Sequence, residues 1–209
     1  YDDVIIELED GVARPVWSAM ETFPLLDASE DLSTGWAHVN FLSYDDAHDA
    51  FLLSVMHLEA YASVARADGE LNWLLTNLEA PYESTLTVVD TTAEQLVSLP
   101  HSITHTSDGE YLVFNRSAPS GCSEATRFQV TADTTQVSLV SQQSSGGPGC
   151  LLVNFLGQSM SLIESQTLVS WSDKGQLDVY SDAGESIWQI QIDIGAAFGF
   201  VDWTPSFGE

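Results

Sequence analysis

The residues of this chain whose types could carry chemistry are few and unevenly placed. Its histidines are His38, His48, His57, His101 and His105, and none follows His105. Its cations are Arg14, Arg66, Arg116, Arg127 and Lys174. Imidazole is the side chain best suited to attack an electrophile or move a proton near neutral pH. A guanidinium fork suits oxyanions. The ordinary alternatives are structural. His38, beside Trp36, could bond a backbone carbonyl in a strand, and His101, after Pro100, could be a loop residue. His48 in the acidic turn DDAHDA reads as solvated. His57 and His105 have no motif support and read as structural or exposed. Arg116 and Arg127 could simply neutralise nearby carboxylates. Asp45, Asp46 and Asp49 lie close in sequence and make calcium the one cation worth considering, although no EF-hand or glycine-rich calcium repeat is present. There is no G-x-S-x-G, Walker loop, H-E-x-x-H or C-x-x-C. Asn115-Arg116-Ser117 is a glycosylation sequon, relevant only to a eukaryotic secretory source.

The elements that would position these residues read as short strands. Asp2–Glu9 is a strand, Asp10 and Gly11 turn the chain, and Pro15–Trp17 is the next strand. Residues 19–34 read as a loop crossing to the next unit. Strands are then expected at Ala37–Leu42, Ala50–Val55, Glu59–Ala65 and Leu71–Leu75, with turns at Asp45–Asp49 and Asp68–Gly69. Thr76–Pro100 is a longer excursion, in which Leu86–Asp90 is short and Glu94–Val97 is helical or extended. A second unit spans His101–Ser117 and continues through FQVTADTTQVSLV to Val140. Ser141–Cys150 is a loop by composition. A third unit runs from Phe155 to Trp188.

These units resemble one another. Gly69 lies four residues before Trp73, as Gly184 lies four before Trp188. Leu8–Trp17 is a looser copy, and Ala125–Val140 a degenerate one without Trp. About four repeats at roughly fifty-residue spacing predict an all-β fold: a β-propeller, or part of one, with antiparallel four-stranded blades. Trp17, Trp73 and Trp188 read as blade packing. The two ends of the chain could complete one shared blade, or be the cut ends of a longer ring.

The bulk numbers fit. The 209 residues are 44% hydrophobic, enough for the core of one domain. Against 31 acidic residues stand five basic ones, for a formal charge of −26. Nucleic acid is a poor partner, because no basic stripe could neutralise phosphates. An anionic membrane surface is disfavoured for the same reason, and no apolar run is long enough for a membrane helix. The chain opens directly in strand-like sequence without a starting Met, as expected if a leader has been removed or if it is a piece of something longer. Cys122 and Cys150, each beside a glycine, could form a disulfide, which would suit an oxidising compartment.

Taken in order, DDVIIELEDG…VW, GWAHVNFLSYDDAHDAFLLSV, DGELNW, HSITHTSDGEYLVFN, FLGQSMSLIESQTLVSW and DAGESIW resemble the bacterial arylsulfotransferase propeller family across nearly the whole chain. The W-x-H-x-N segment with its Tyr-Asp turn and LLS strand is the most specific element. The resemblance implies one propeller domain over residues 1–209, about the C-terminal two thirds of a six-bladed ring, in an extracytoplasmic setting. It also implies a sulfuryl transfer from an aryl sulfate to a phenol through a sulfated histidine. There, one imidazole attacks sulfur, another protonates the leaving phenolate, and an arginine holds the equatorial oxygens. By this resemblance His38 and His101 match the first two family histidines, and Arg116 is the arginine. Arg127 is the fallback, since Ser123–Glu124 stands where a serine–arginine pair is expected. The nucleophile is expected near residues 157–159, where this chain has Gly157, Gln158 and Ser159. Gln158 cannot form the covalent intermediate. The expectation is therefore a catalytically degenerate propeller serving binding or assembly, with no cofactor unless calcium. Its partners would be an aryl sulfate or phenol, or a protein or second copy completing the ring. The alternative is an active sulfotransferase that has moved its nucleophile or takes it from blades outside this chain.

Overall fold

The computed structural model describes residues 2–23, 37–145, 150–162, 166–192 and 197–202. Trp36, most of the expected 19–34 crossing and the end of the chain from Trp203 lie outside them. Strands β1 (Val4–Glu9) and β2 (Val12–Ser18) form a two-stranded antiparallel sheet. A single helical turn, α1 (Ala19–Thr22), follows, capped by the Ser18 hydroxyl. The first full blade is β3 (Val39–Asp45), β4 (Ala50–Val55), β5 (Ala60–Ala65) and β6 (Leu71–Thr76), paired in that order. β3 begins two residues later and ends three residues later than the sequence suggested, so His38 precedes the strand.

The excursion after β6 holds β7 (Thr87–Val89) and α2 (Ala93–Leu96), the latter closed by a capping box between Thr92 and Gln95. The second blade is β8 (Pro100–His105), β9 (Tyr111–Asn115), β10 (Glu124–Val130) and β11 (Gln136–Ser144). β7 adds to its outer edge, parallel to β11. β11 runs to Ser144 where composition suggested a loop, because Ser141–Ser144 continue the ladder against Glu124–Arg127. The third blade is β12 (Gln158–Ser161), β13 (Thr167–Trp171), β14 (Gln176–Tyr180) and β15 (Ser186–Gln191), in that order. Among the described residues, 197–202 form no strand.

The propeller arrangement follows from strands whose two faces are both apolar. In β4, Leu53 and Val55 pack towards Ile5, Trp17 and Phe23, whereas Leu52 faces the second blade. In β6, Leu74 packs with the first group; Trp73 and Leu75 join Ile103, Tyr111, Val113 and Phe128 of the second blade. In β9 the alternate residues Leu112 and Phe114 meet Val169, Trp171 and Tyr180 of the third. Each blade thus buries one face against each neighbour. The outermost faces stay open: all of β15 is exposed, as are Val4, Ile6, Leu8 and Val12. Trp17 and Trp73 pack as expected, but Trp188 does not. It is 47% exposed because, among the described residues, no further sheet covers β15.

Cys122 and Cys150 form a disulfide across 28 residues, tying the β9–β10 loop to the segment after β11. A loop of that length stabilises by about 3–4 kcal/mol in the chain-entropy account.

Candidate functional site

The inner strands β3, β8 and β12 lie side by side and open alike. His38, Leu99 and Leu156, each one or two residues before its strand, have positive φ of 54°, 45° and 60°. Non-glycine residues adopt this conformation at a cost that the surrounding structure must offset. Next comes an irregular step. Asn40 in β3 and His101 in β8 are each skipped in the ladder with the following strand, so their side chains are turned out of the sheet's alternation.

These two residues and Gln158, which lies two residues after Leu156 and stays in the ladder, act as bridges. Asn40 Nδ2 donates to the Pro100 carbonyl at 3.1 Å. His101 Nδ1 donates to the Gly157 carbonyl at 2.8 Å. Gln158 Oε1 accepts from the Val201 amide at 2.8 Å. Each reaches the backbone of the next segment round the hub. Gly157 is held there by its φ of 103° and by Phe114, whose ring would lie 2.1 Å from any added Cβ.

The residues assigned by resemblance can now be placed. His101 is buried, and Phe200 stacks on it with centroids 5.9 Å apart. Burial drives its pKa down to about 4; the Gly157 bond opposes this, while the nearby charges of Arg116 and His38 add to it. At neutral pH it is a neutral imidazole with Nδ1 already committed. His38 is half-buried and packs at a tilt against the exposed His57, with ring centroids 4.8 Å apart. Arg116 follows β9, its amide bonded to the Leu99 carbonyl. Its Nε is buried without a hydrogen-bond partner. Burial lowers its pKa, while Glu59 and Asp173 attract it without forming an ion pair. Glu59 itself is pushed up by burial, against a hydrogen bond from the Leu99 amide and the charge of Arg116. His38, His101 and Arg116 therefore share one end of the hub, and His101 feels the charges of the other two. Among the described residues, none hydrogen-bonds another.

Arg127 lies elsewhere, donating to Thr167 Oγ1 at 2.8 Å and pairing with Glu110 at 3.4 Å. Asn115 is fully buried, with its amide bonded to Leu96, Thr126, Tyr61 and Ser98, so the sequon is not available in the folded chain.

At the opposite ends of β3 and β8, Asp45 was considered in the sequence with Asp46 and Asp49, and not with the two histidines that meet it. Asp45 is fully buried at the last position of β3. Its Oδ2 accepts from His48 Nδ1 at 2.8 Å and its Oδ1 lies 3.0 Å from His105 Nδ1, the last residue of β8. The Ala47 amide also bonds this carboxylate at 3.1 Å, and the Tyr111 hydroxyl lies near enough to feel its charge. Burial, with the charge of Asp45, pushes Tyr111 up to about 12. His48 is exposed, as expected, and His105 is mostly buried. Asp49 instead bonds Tyr44 and pairs with Arg66, and Asp46 is exposed. The three carboxylates considered for calcium therefore do not converge. Aligning β3 with β8 as repeats would have put Asp45 and His105 side by side, and that was the available signal.

A family model described as arylsulfotransferase (ASST) matches residues 16–144. No curated protein matches the chain. Among solved structures, selenomethionine-substituted virginiamycin B lyase from Staphylococcus aureus is similar, at TM-score 0.53 and 12% identity, covering 91% of this chain and 49% of that one. A streptogramin B lyase is similar at TM-score 0.46 and 6% identity, covering 75% of this chain and 41% of that one. The chain thus spans about half the length of the first of these structures, whose likeness supports the propeller fold alone.

Proposed function

The chain belongs to the arylsulfotransferase family, and from that premise we propose that it is an extracytoplasmic propeller which binds an aryl sulfate or phenol without transferring the sulfuryl group. The observation that carries this reading is Gln158. It stands where the resemblance expects the nucleophile, and its amide oxygen is taken by the Val201 amide. An amide cannot form a covalent sulfuryl intermediate. His101 is a poor general acid at neutral pH, with its pKa near 4 and its ring beneath Phe200. Arg116 supports binding: a half-buried guanidinium whose Nε has no partner is suited to a sulfate oxygen. Phe41 and Phe200, 5.6 Å apart, offer aromatic faces at the same end. The disulfide fits an oxidising compartment.

The apolar outer faces of β15 and of the β1–β2 sheet favour an additional assembly role, in which further blades or a second copy of the chain cover them. The second functional reading is active transfer. The half-buried His38, beside His57, would attack sulfur as the sulfur–oxygen bond to the aryl group breaks; an acceptor phenol would then take the sulfuryl group and regenerate the imidazole.

The deciding experiment supplies nitrophenyl sulfate and a phenol acceptor, and measures both binding by calorimetry and release of nitrophenol. The expected result is saturable binding without turnover, weakened about 10–100-fold in Arg116→Ala, as for loss of a charge-assisted hydrogen bond. Turnover abolished by His38→Ala would overturn this in favour of the transferase. Absence of binding in folded protein would sink both readings.

A further inference from the structure

We propose that Asp45, His48 and His105 form a binding site for one divalent transition-metal ion of the zinc class, at the hub end opposite His38 and His101. The site is independent of the function proposed above. One ligand atom from each of the three residues lies within 4.8 Å of the others. Two imidazoles and one carboxylate are a donor set for zinc rather than for calcium, which takes oxygens. A tetrahedral ion with bonds of about 2.0–2.2 Å sets its ligand atoms about 3.3–3.6 Å apart. The imidazole-to-carboxylate separations here, 2.8 and 3.0 Å, are those of a shared proton. Small outward turns of the rings exchange that proton for an ion. His48 has the freedom to turn, since its side chain is 57% exposed on the β3–β4 turn.

The surroundings suit this. The Ala47 amide bonds the Asp45 carboxylate and helps hold it in place, as hydrogen bonds around metal ligands do. His48 and His105 also line a cavity with Trp73, Asp108 and Tyr111. Three protein ligands would leave a fourth position open to that cavity for water. The charge of −26 raises the local concentration of cations around the chain.

The test uses the whole chain, stripped with a chelator, and titrates it with zinc ions and separately with cobalt ions. The expected result is one equivalent of zinc per chain and a tetrahedral cobalt absorption band. His48→Ala and His105→Gln should each weaken zinc at least about 10–100-fold, the loss seen when only a hydrogen-bond partner of a ligand is removed. His57→Ala should change nothing. Thermal unfolding checks that each variant is folded, and His48 is exposed enough for its variant to remain so. Absence of one-equivalent binding, or binding that both variants leave intact and that reflects only the acidic surface, would overturn the proposal.

Discussion

Asp45 and Asp178 are each 1% exposed. Each carboxylate is surrounded by hydrogen-bond donors, yet the two sites differ in kind. Asp178, in the third blade, accepts from Trp171 Nε1 at 2.7 Å, Tyr180 Oη at 2.7 Å, Gln176 Nε2 at 2.8 Å and Gln189 Nε2 at 2.9 Å. An indole and two amides cannot trade their protons for a metal. They tie β13, β14 and β15 together and do nothing else. Asp45 is held by two imidazoles and a backbone amide. Imidazoles can be ligands as well as donors. Burial alone therefore does not distinguish a structural carboxylate from a functional one; the chemistry of its donors does.

The strongest way to break this contrast is Asp178→Ala. It strands several buried donors at once and should cost about 3–5 kcal/mol in urea unfolding, with or without zinc. Acid is the next largest test. His101 has a native pKa of about 4 against its ordinary 6.5, so the unfolded chain takes up the proton first. Its contribution is complete above about pH 6.5 and falls away as pH drops through 4, by about 3 kcal/mol in all. His101→Gln should flatten that part of the stability profile; an unchanged slope would mean that His101 is not the buried neutral bridge described. Gly157→Ala should cost about 2–3 kcal/mol through its positive φ and the Phe114 contact, and shift the carbonyl that His101 uses. Asp45→Ala should be mildest in metal-free protein, about 1–2 kcal/mol, because His48 can turn to water. It should also erase any rise in melting temperature on adding zinc. Equal losses for Asp45→Ala and Asp178→Ala would erase the distinction.

Much of the fold was legible because its signals are local. Strands β4, β5 and β6 follow from apolar runs between Asp and Gly turns, and the Gly-to-Trp spacing marks the turns before β6 and β15, the last strands of two four-stranded sheets. β11 beyond Val140 was not legible: Ser and Gln carry no strand signal of their own and are held by pairing with β10. Trp188 misled because burial of an outer strand depends on a neighbouring sheet, not on the strand itself. At the site, resemblance gathered His38, His101 and Arg116 at one end of the hub. That His101 and Gln158 bridge to adjoining backbone could not be read from residue types. The Asp45 cluster joins residues sixty apart, and only a three-dimensional repeat brings them together.

The bridges from Asn40, His101 and Gln158 have a consequence for ancestry. Each segment carries the donor or acceptor that fastens it to its successor, and the contact made is with main chain, which every successor possesses. A duplicated segment would inherit its own fastening and need no matched partner side chain. Copy number can then drift while the joint stays the same, and the residue at the joint is free to become histidine in one copy and an amide in another.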